Sequence, residues 1–70
     1  MRNFNVEITS VPDREELVAE IWLNDILIAE INQENKEPEI EVYIKEEKIN
    51  LPLNEFMNTL QKAIDKLKSS

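Results

Sequence analysis

The chain contains no cysteine, no histidine and no glycine. Without cysteine it cannot form disulfides or thiolate metal sites. Without histidine it lacks the commonest transition-metal ligand and the commonest general base. Phosphate-binding loops depend on glycine, so that class of nucleotide site is excluded as well. We therefore expect neither a cofactor nor a metal site.

Long apolar runs are missing too. No segment approaches the roughly 18 apolar residues of a membrane span. The N-terminal stretch MRNFNVEITS has no apolar run of signal-peptide length. The absence of cysteine also fits a reducing compartment. The sequence thus predicts a cytoplasmic protein that does not associate with a membrane.

Basic residues are few: 8 Lys and Arg stand against 15 Asp and Glu, a net charge of −7. Phosphate contacts need clustered Lys and Arg, so we expect no direct binding to nucleic acid or to an anionic membrane. Residues 52–70 hold three bases and two acids (+1), which leaves five bases and 13 acids (−8) in residues 1–51. This negative half serves solubility alone or meets a basic protein partner, and both interpretations stay open.

The length and the residue pattern predict one small domain, residues 1–70. Four segments alternate apolar with polar residues, as half-buried strands do: 3–9, 16–23, 26–32 and 39–45. Residues 52–68 carry apolar side chains at helical spacing, behind a Pro52 that suits a first helical position. The order ββββα predicts an α+β fold, a four-stranded antiparallel meander with one C-terminal helix packed on one face. In the absence of glycine, positive φ is expected at Asn24, Asn35 and Asn50.

The hairpin EIWLNDILIAEI is apolar on both faces. A two-residue turn at Asn24-Asp25 pairs Leu23 with Ile26, Ile21 with Ile28 and Ala19 with Glu30 on one face, and Glu20 lies in the middle of the other. Burying Glu20 without a partner would cost several kcal/mol, so we expect the face without it to lie under the helix. The predicted core under the helix is Leu17, Ala19, Ile21, Leu23, Ile26 and Ile28, with Phe4, Val6, Ile8, Ile40, Val42 and Ile44.

The opposite face of the sheet is the predicted protein interface. It comprises Val18, Glu20, Trp22, Leu27, Ala29, Ile31 and Tyr43, with an acidic rim of Glu7, Glu39 and Glu41. An apolar, aromatic centre inside a charged rim has the composition of an interface hot spot. Two alternatives remain: a loop, 9–16 or 32–38, covers this face, or a register slip of one residue exchanges the two faces.

Paired carboxylates are the feature closest to a catalytic motif. Glu39 and Glu41 share a face of one strand, about 6.6 to 7 Å apart, a spacing that acid–base chemistry or a hard cation can use. They lie on the predicted solvent face with no histidine and no cleft beside them. We therefore expect no catalytic residue and no enzyme activity.

Two strings that cover about half of the chain, DREELVAEIWLNDILIAEI and LPLNEFMNTLQKAIDKL, resemble a group of small acidic bacterial proteins known mainly as hypothetical sequences. The resemblance implies the same ββββα order and brings no catalytic residues. The turn of that group commonly carries Asp-Gly or a similar pair, where this chain has Asn24-Asp25.

Two functions are compatible with these features. The first is a small acidic, non-catalytic protein-binding module that occupies a partner surface, as inhibitors, immunity proteins and phage anti-defence proteins do. The second is a homodimeric structural or accessory domain whose aromatic sheet patch is the dimer interface. A monomer that captures a basic partner would favour the first, and a dimer that buries Trp22 would favour the second.

Overall fold

The computed structural model describes residues 3–43, 45 and 48–70. Its elements are β1 (Phe4–Thr9), β2 (Val18–Leu23), β3 (Ile26–Asn32), β4 (Glu39–Val42) and α1 (Leu53–Lys68). The strands form one antiparallel sheet in the order β1-β2-β3-β4. The predicted meander with a C-terminal helix is confirmed. Helix α1 falls short of the length and hydropathy needed to cross a membrane, and the described residues contain no other helix.

Three strand boundaries differ from the prediction, and the first is that β1 begins at Phe4 rather than at residue 3. β2 begins at Val18 rather than at residue 16, and β4 ends at Val42 rather than at residue 45. The predicted core residue Ile44 lies outside the described residues. Positive φ occurs at Asn24 (φ 54°) as predicted, but at neither Asn35 nor Asn50.

Helix α1 forms where the apolar spacing predicts it. Pro52, the predicted first helical position, is instead the N-cap, so α1 begins one residue later, at Leu53. The carbonyl of Pro52 accepts the amide of Phe56 at 2.9 Å. Glu55 lies in the first turn, and Lys66 and Lys68 lie in the last, which suits the helix dipole. The core of the domain lies between this helix and the sheet, where Phe4 and Phe56 pack with ring centroids 5.6 Å apart.

The pairing of β1 with β2 places the predicted residues under the helix. Cross-strand partners share a face, and the pairs are Phe4 with Leu23, Val6 with Ile21, and Ile8 with Ala19. All of these side chains belong to the core cluster or pack against it. We call the sheet side that carries them the helix face, and the opposite side the far face.

The pairing of β2 with β3 contains a β-bulge that the sequence did not predict. Leu23 pairs with Ile26 as expected, but Ile21 pairs with Ala29 instead of Ile28. One extra residue in β3 shifts the register, and a shift of one residue exchanges the faces of everything beyond it. Ala19 therefore lies opposite Ile31, not opposite Glu30.

This bulge corrects the predicted faces. Ala29 and Ile31, expected in the interface, belong to the buried core cluster together with Ile28. Glu30 moves to the far face, where it lies opposite Glu20. With the bulge, three apolar side chains of β3 are buried and a carboxylate is removed from beneath the helix. The burial of apolar surface favours this register.

The helix covers only half of its face of the sheet. Among the described elements, α1 packs mainly on β1 and β2. A helix is about 10 to 12 Å wide with its side chains, and strands lie about 4.8 Å apart, so one helix spans two strands. The core prediction is wrong for four residues that remain exposed. Leu17 (37%) precedes β2, Ile26 (65%) adjoins the hairpin turn, and Ile40 (46%) and Val42 (52%) lie on β4, which α1 does not cover.

Candidate protein interface

The loop between β1 and β2 crosses the far face toward β4. Arg14 donates from Nε to Glu30 Oε2 at 3.2 Å and from a terminal nitrogen to Glu41 Oε2 at 3.3 Å. Val18, at the start of β2, is fully buried. The alternative in which loop 9–16 covers this face therefore holds for part of it, and Val18 is not an exposed interface residue.

A second set of contacts ties this loop to the turn after β3. The carboxylate of Glu34 accepts the backbone N–H groups of Glu15 and Glu16 at 3.0 and 3.1 Å. The side-chain amide of Gln33 donates to the carbonyl of Leu17 at 3.3 Å. These bonds hold the loop, and with it Arg14, in place over the sheet. The position of Arg14 therefore depends on the backbone hydrogen bonds of its loop as well as on its ion pairs.

Glu30 is the buried charge of this face, with only 6% of its surface exposed. Burial alone would lower the pKa of Arg14, but the hydrogen bond and negative charge of Glu30, with the charges of Glu41 and Asp13, raise it instead. A buried carboxylate that loses its cation is strongly destabilising. Arg14 therefore compensates the charge of the buried Glu30 carboxylate. Neither Arg14 nor Glu30 was predicted from the sequence as a site residue.

The far face carries four glutamates in line across the whole sheet. Glu7 lies opposite Glu20, Glu20 opposite Glu30, and Glu30 opposite Glu41. We call these four residues the acidic row. Like charges on directly opposed residues destabilise a sheet, and Arg14 is the only base that forms an ion pair with the row among the described residues.

Two aromatic residues lie beside the acidic row. The indole N–H of Trp22 donates to Glu20 Oε1 at 3.3 Å, and Trp22 is half-buried. The hydroxyl of Tyr43 donates a hydrogen bond to the Glu41 carboxylate. This bond, partial burial and the charge of Glu30 raise the pKa of Tyr43 to about 12. Trp22, Tyr43 and the half-buried Leu27 are placed where the sequence predicted them, beside exposed rim residues.

Exposed apolar side chains occur elsewhere than predicted. Within the described chain they include Leu53 and Met57, which the helical spacing assigned to the buried stripe, and Ile26, Ile40 and Val42 on the helix face. A shallow apolar depression at the hairpin end of the sheet is lined by Ile26, Leu27, Ile28, Tyr43 and Ile49, with Asp25 and Lys45 at its rim. The described residues contain no group of three or more His, Cys, Asp or Glu side chains that could hold a metal ion.

Comparison of the chain with protein-family models, with curated proteins and with solved structures found no match. The resemblance to small acidic bacterial proteins therefore stays an expectation from the two quoted strings, and the function must be argued from the surfaces.

Proposed function

We propose that this protein is a small acidic, non-catalytic binding module whose far face occupies a basic surface of a partner protein. The acidic row carries the proposal. Four glutamates in adjacent positions on one sheet face repel one another, and only one arginine is paired with them in the described part of the chain. A partner with Lys or Arg side chains would remove that repulsion on binding.

Charge and aromatic content of the same face support this function. Complementary charge raises the association rate and rejects partners of the wrong sign. Trp22 and Tyr43 offer contact area next to the acidic row, and both residue types are enriched in interface hot spots together with Arg. Within this class, an inhibitor, immunity or anti-defence protein fits best, since such a protein acts by occupying a surface of its partner.

A homodimer through the same face is the weaker alternative. Two copies in contact through their far faces would bring two acidic rows together, and this repulsion opposes the dimer. We therefore expect the isolated protein to sediment as a monomer at low salt. A dimer in which Trp22 becomes buried would contradict the proposed function.

The experiment compares two charge-removing double variants. The first, Glu7→Gln with Glu20→Gln, removes two charges of the acidic row. The second, Glu55→Gln with Asp65→Asn, removes two charges from α1 and serves as the matched control. The wild-type chain is used to capture a partner, which is then purified and its association rate measured over a range of salt concentrations.

We expect the row variant to associate several-fold more slowly at low salt and to lose part of its salt dependence, because rim charges act mainly on the association rate. The control variant should behave like the wild type. An equal effect of the two variants, or no effect of either, would show that the acidic row does not steer binding.

A further inference from the structure

The outer edge of β4 is open. β4 ends the sheet, no described strand lies beyond it, and all four of its residues are exposed. The amide of Tyr43 donates to the carbonyl of Ile28 at 2.8 Å. Because alternate residues of a strand direct both backbone groups to the same neighbour, Glu39 and Glu41 bond toward β3. The backbone groups of Ile40 and Val42 therefore point outward.

The two sides of this edge differ in chemistry. Ile40 and Val42 pair with Ile31 and Ala29 on the helix face, yet they stay exposed because α1 does not reach them. On the far face the edge shows Glu39 and Glu41. An added strand would therefore meet apolar side chains on one side and carboxylates on the other.

The charge at this edge selects the occupant. Arg14 is shared between Glu30 and Glu41, so one negative charge of that trio remains unbalanced. Within the described residues, Glu37 and Glu39 have no Lys or Arg nitrogen within 4.0 Å. Glu41 ends the acidic row, so a residue opposite it on an added strand would extend the row and must be basic to be stable.

We propose that an extended segment of the partner, alternating basic and apolar residues, adds to β4 as an antiparallel fifth strand. Its apolar residues lie opposite Ile40 and Val42, and its Lys or Arg residues lie opposite Glu39 and Glu41. Main-chain bonds to the edge supply affinity, and the alternating side chains supply specificity. The inference rests on the proposed function in requiring a basic partner, and it adds the site and conformation of the bound segment.

A second copy of this chain is the less favourable occupant. Antiparallel pairing of two β4 strands centred on Ile40 or on Glu41 keeps the faces aligned, and so sets glutamate opposite glutamate. Charged residues on an edge strand are a common protection against such self-pairing. The carboxylates of this edge thus disfavour pairing with a second copy and favour a basic strand.

The test uses the full chain and a synthetic peptide of alternating Lys and Val, about seven residues long so that it overhangs the strand. Amide hydrogen exchange is followed by NMR with and without this peptide. We expect the amides of Ile40 and Val42 to exchange about tenfold more slowly in the complex than in the free protein, since each becomes hydrogen-bonded. The amides of Glu39 and Glu41, already bonded to β3, should change little.

Two control peptides separate backbone pairing from charge. A Lys and Ser peptide of equal charge should bind less tightly, because it cannot pack on Ile40 and Val42. N-methylation of the Val residues removes the amides that face β4, so it should weaken binding about tenfold or more through two or three lost hydrogen bonds. N-methylation of the Lys residues should leave binding nearly unchanged.

Strand addition is overturned if Ile40 and Val42 gain no protection, if the two N-methylated peptides behave alike, or if the Lys and Ser peptide binds equally well. Protection of these two amides in the free protein would place a second copy at the edge and would also overturn the proposal. If strand addition is overturned but the acidic-row variant still associates more slowly with the purified partner, the proposed function stands. Failure of strand addition and failure of the proposed function are therefore distinguishable.

Discussion

Substitution of Ile21 by Ala tests the core of this structure most directly. Ile21 is fully buried in the middle of β2, between Val6 on β1 and Ala29 on β3. The change removes three carbons, about 2.4 kcal/mol at roughly 0.8 kcal/mol per buried methylene. The cavity left behind adds to this, so we expect a loss of about 3 to 4 kcal/mol. A domain of this size has about 4 to 10 kcal/mol in total.

Ile26→Ala is the matched control, because it is the same change on the same sheet face. Ile26 is 65% exposed and lies beyond the reach of α1, so we expect a loss below about 1 kcal/mol. Urea unfolding followed by circular dichroism measures both variants. Ile21→Ala should lower the melting temperature by about 12 °C or more. Equal losses for the two variants would refute the placement of Ile21 in the core and of Ile26 outside it.

Two further predictions concern the far face and the hairpin turn. The only tyrosine of the chain, Tyr43, should ionise well above its ordinary pKa of 10, near pH 12, in an ultraviolet titration; Glu41→Gln should lower the midpoint and Glu39→Gln should not. Because the folded pKa is raised, protonated Tyr43 stabilises the fold below pH 10, and this contribution is lost between about pH 10 and pH 12. At the turn, Asn24 has φ 54° and its Oδ1 accepts the Asn3 amide at 3.1 Å, so Asn24→Ala should cost about 1 to 2 kcal/mol. Asn24→Gly, which tolerates the same φ, should cost less, and the opposite order in urea unfolding would contradict this account of the turn.

The elements with unbroken periodicity were predictable. β1 alternates strictly, so the face of Phe4, Val6 and Ile8 followed from the pattern, and the helix spacing identified α1. β3 was not predictable in the same way. Its segment Ile28-Ala29-Glu30-Ile31 breaks the alternation, and a bulge without glycine has no residue signature that fixes its position.

The site residues were predictable only where the alternation of apolar and polar residues along a strand shows which sheet face each residue occupies. Trp22, Tyr43 and the acidic rim lie on the predicted face. Arg14 comes from a loop whose path depends on contacts distant in sequence, and nothing in its local sequence marks it as the partner of Glu30. Likewise, the helix spacing says which side of α1 is buried but not which two strands it covers, so the exposure of Ile40 and Val42 needed the tertiary structure.

The strand order has a consequence for how the domain folds. Each strand pairs with the strand before it in the chain, so the sheet can grow hairpin by hairpin through short loop closures on the microsecond scale. The packing of Phe56 on Phe4 closes a loop of about 50 residues, which costs more chain entropy. We therefore expect docking of α1 to follow formation of the central hairpin. Truncations in the helix, such as Ala63→Gly or Leu67→Ala, should then mainly speed unfolding, whereas truncations in β2 and β3 should mainly slow folding.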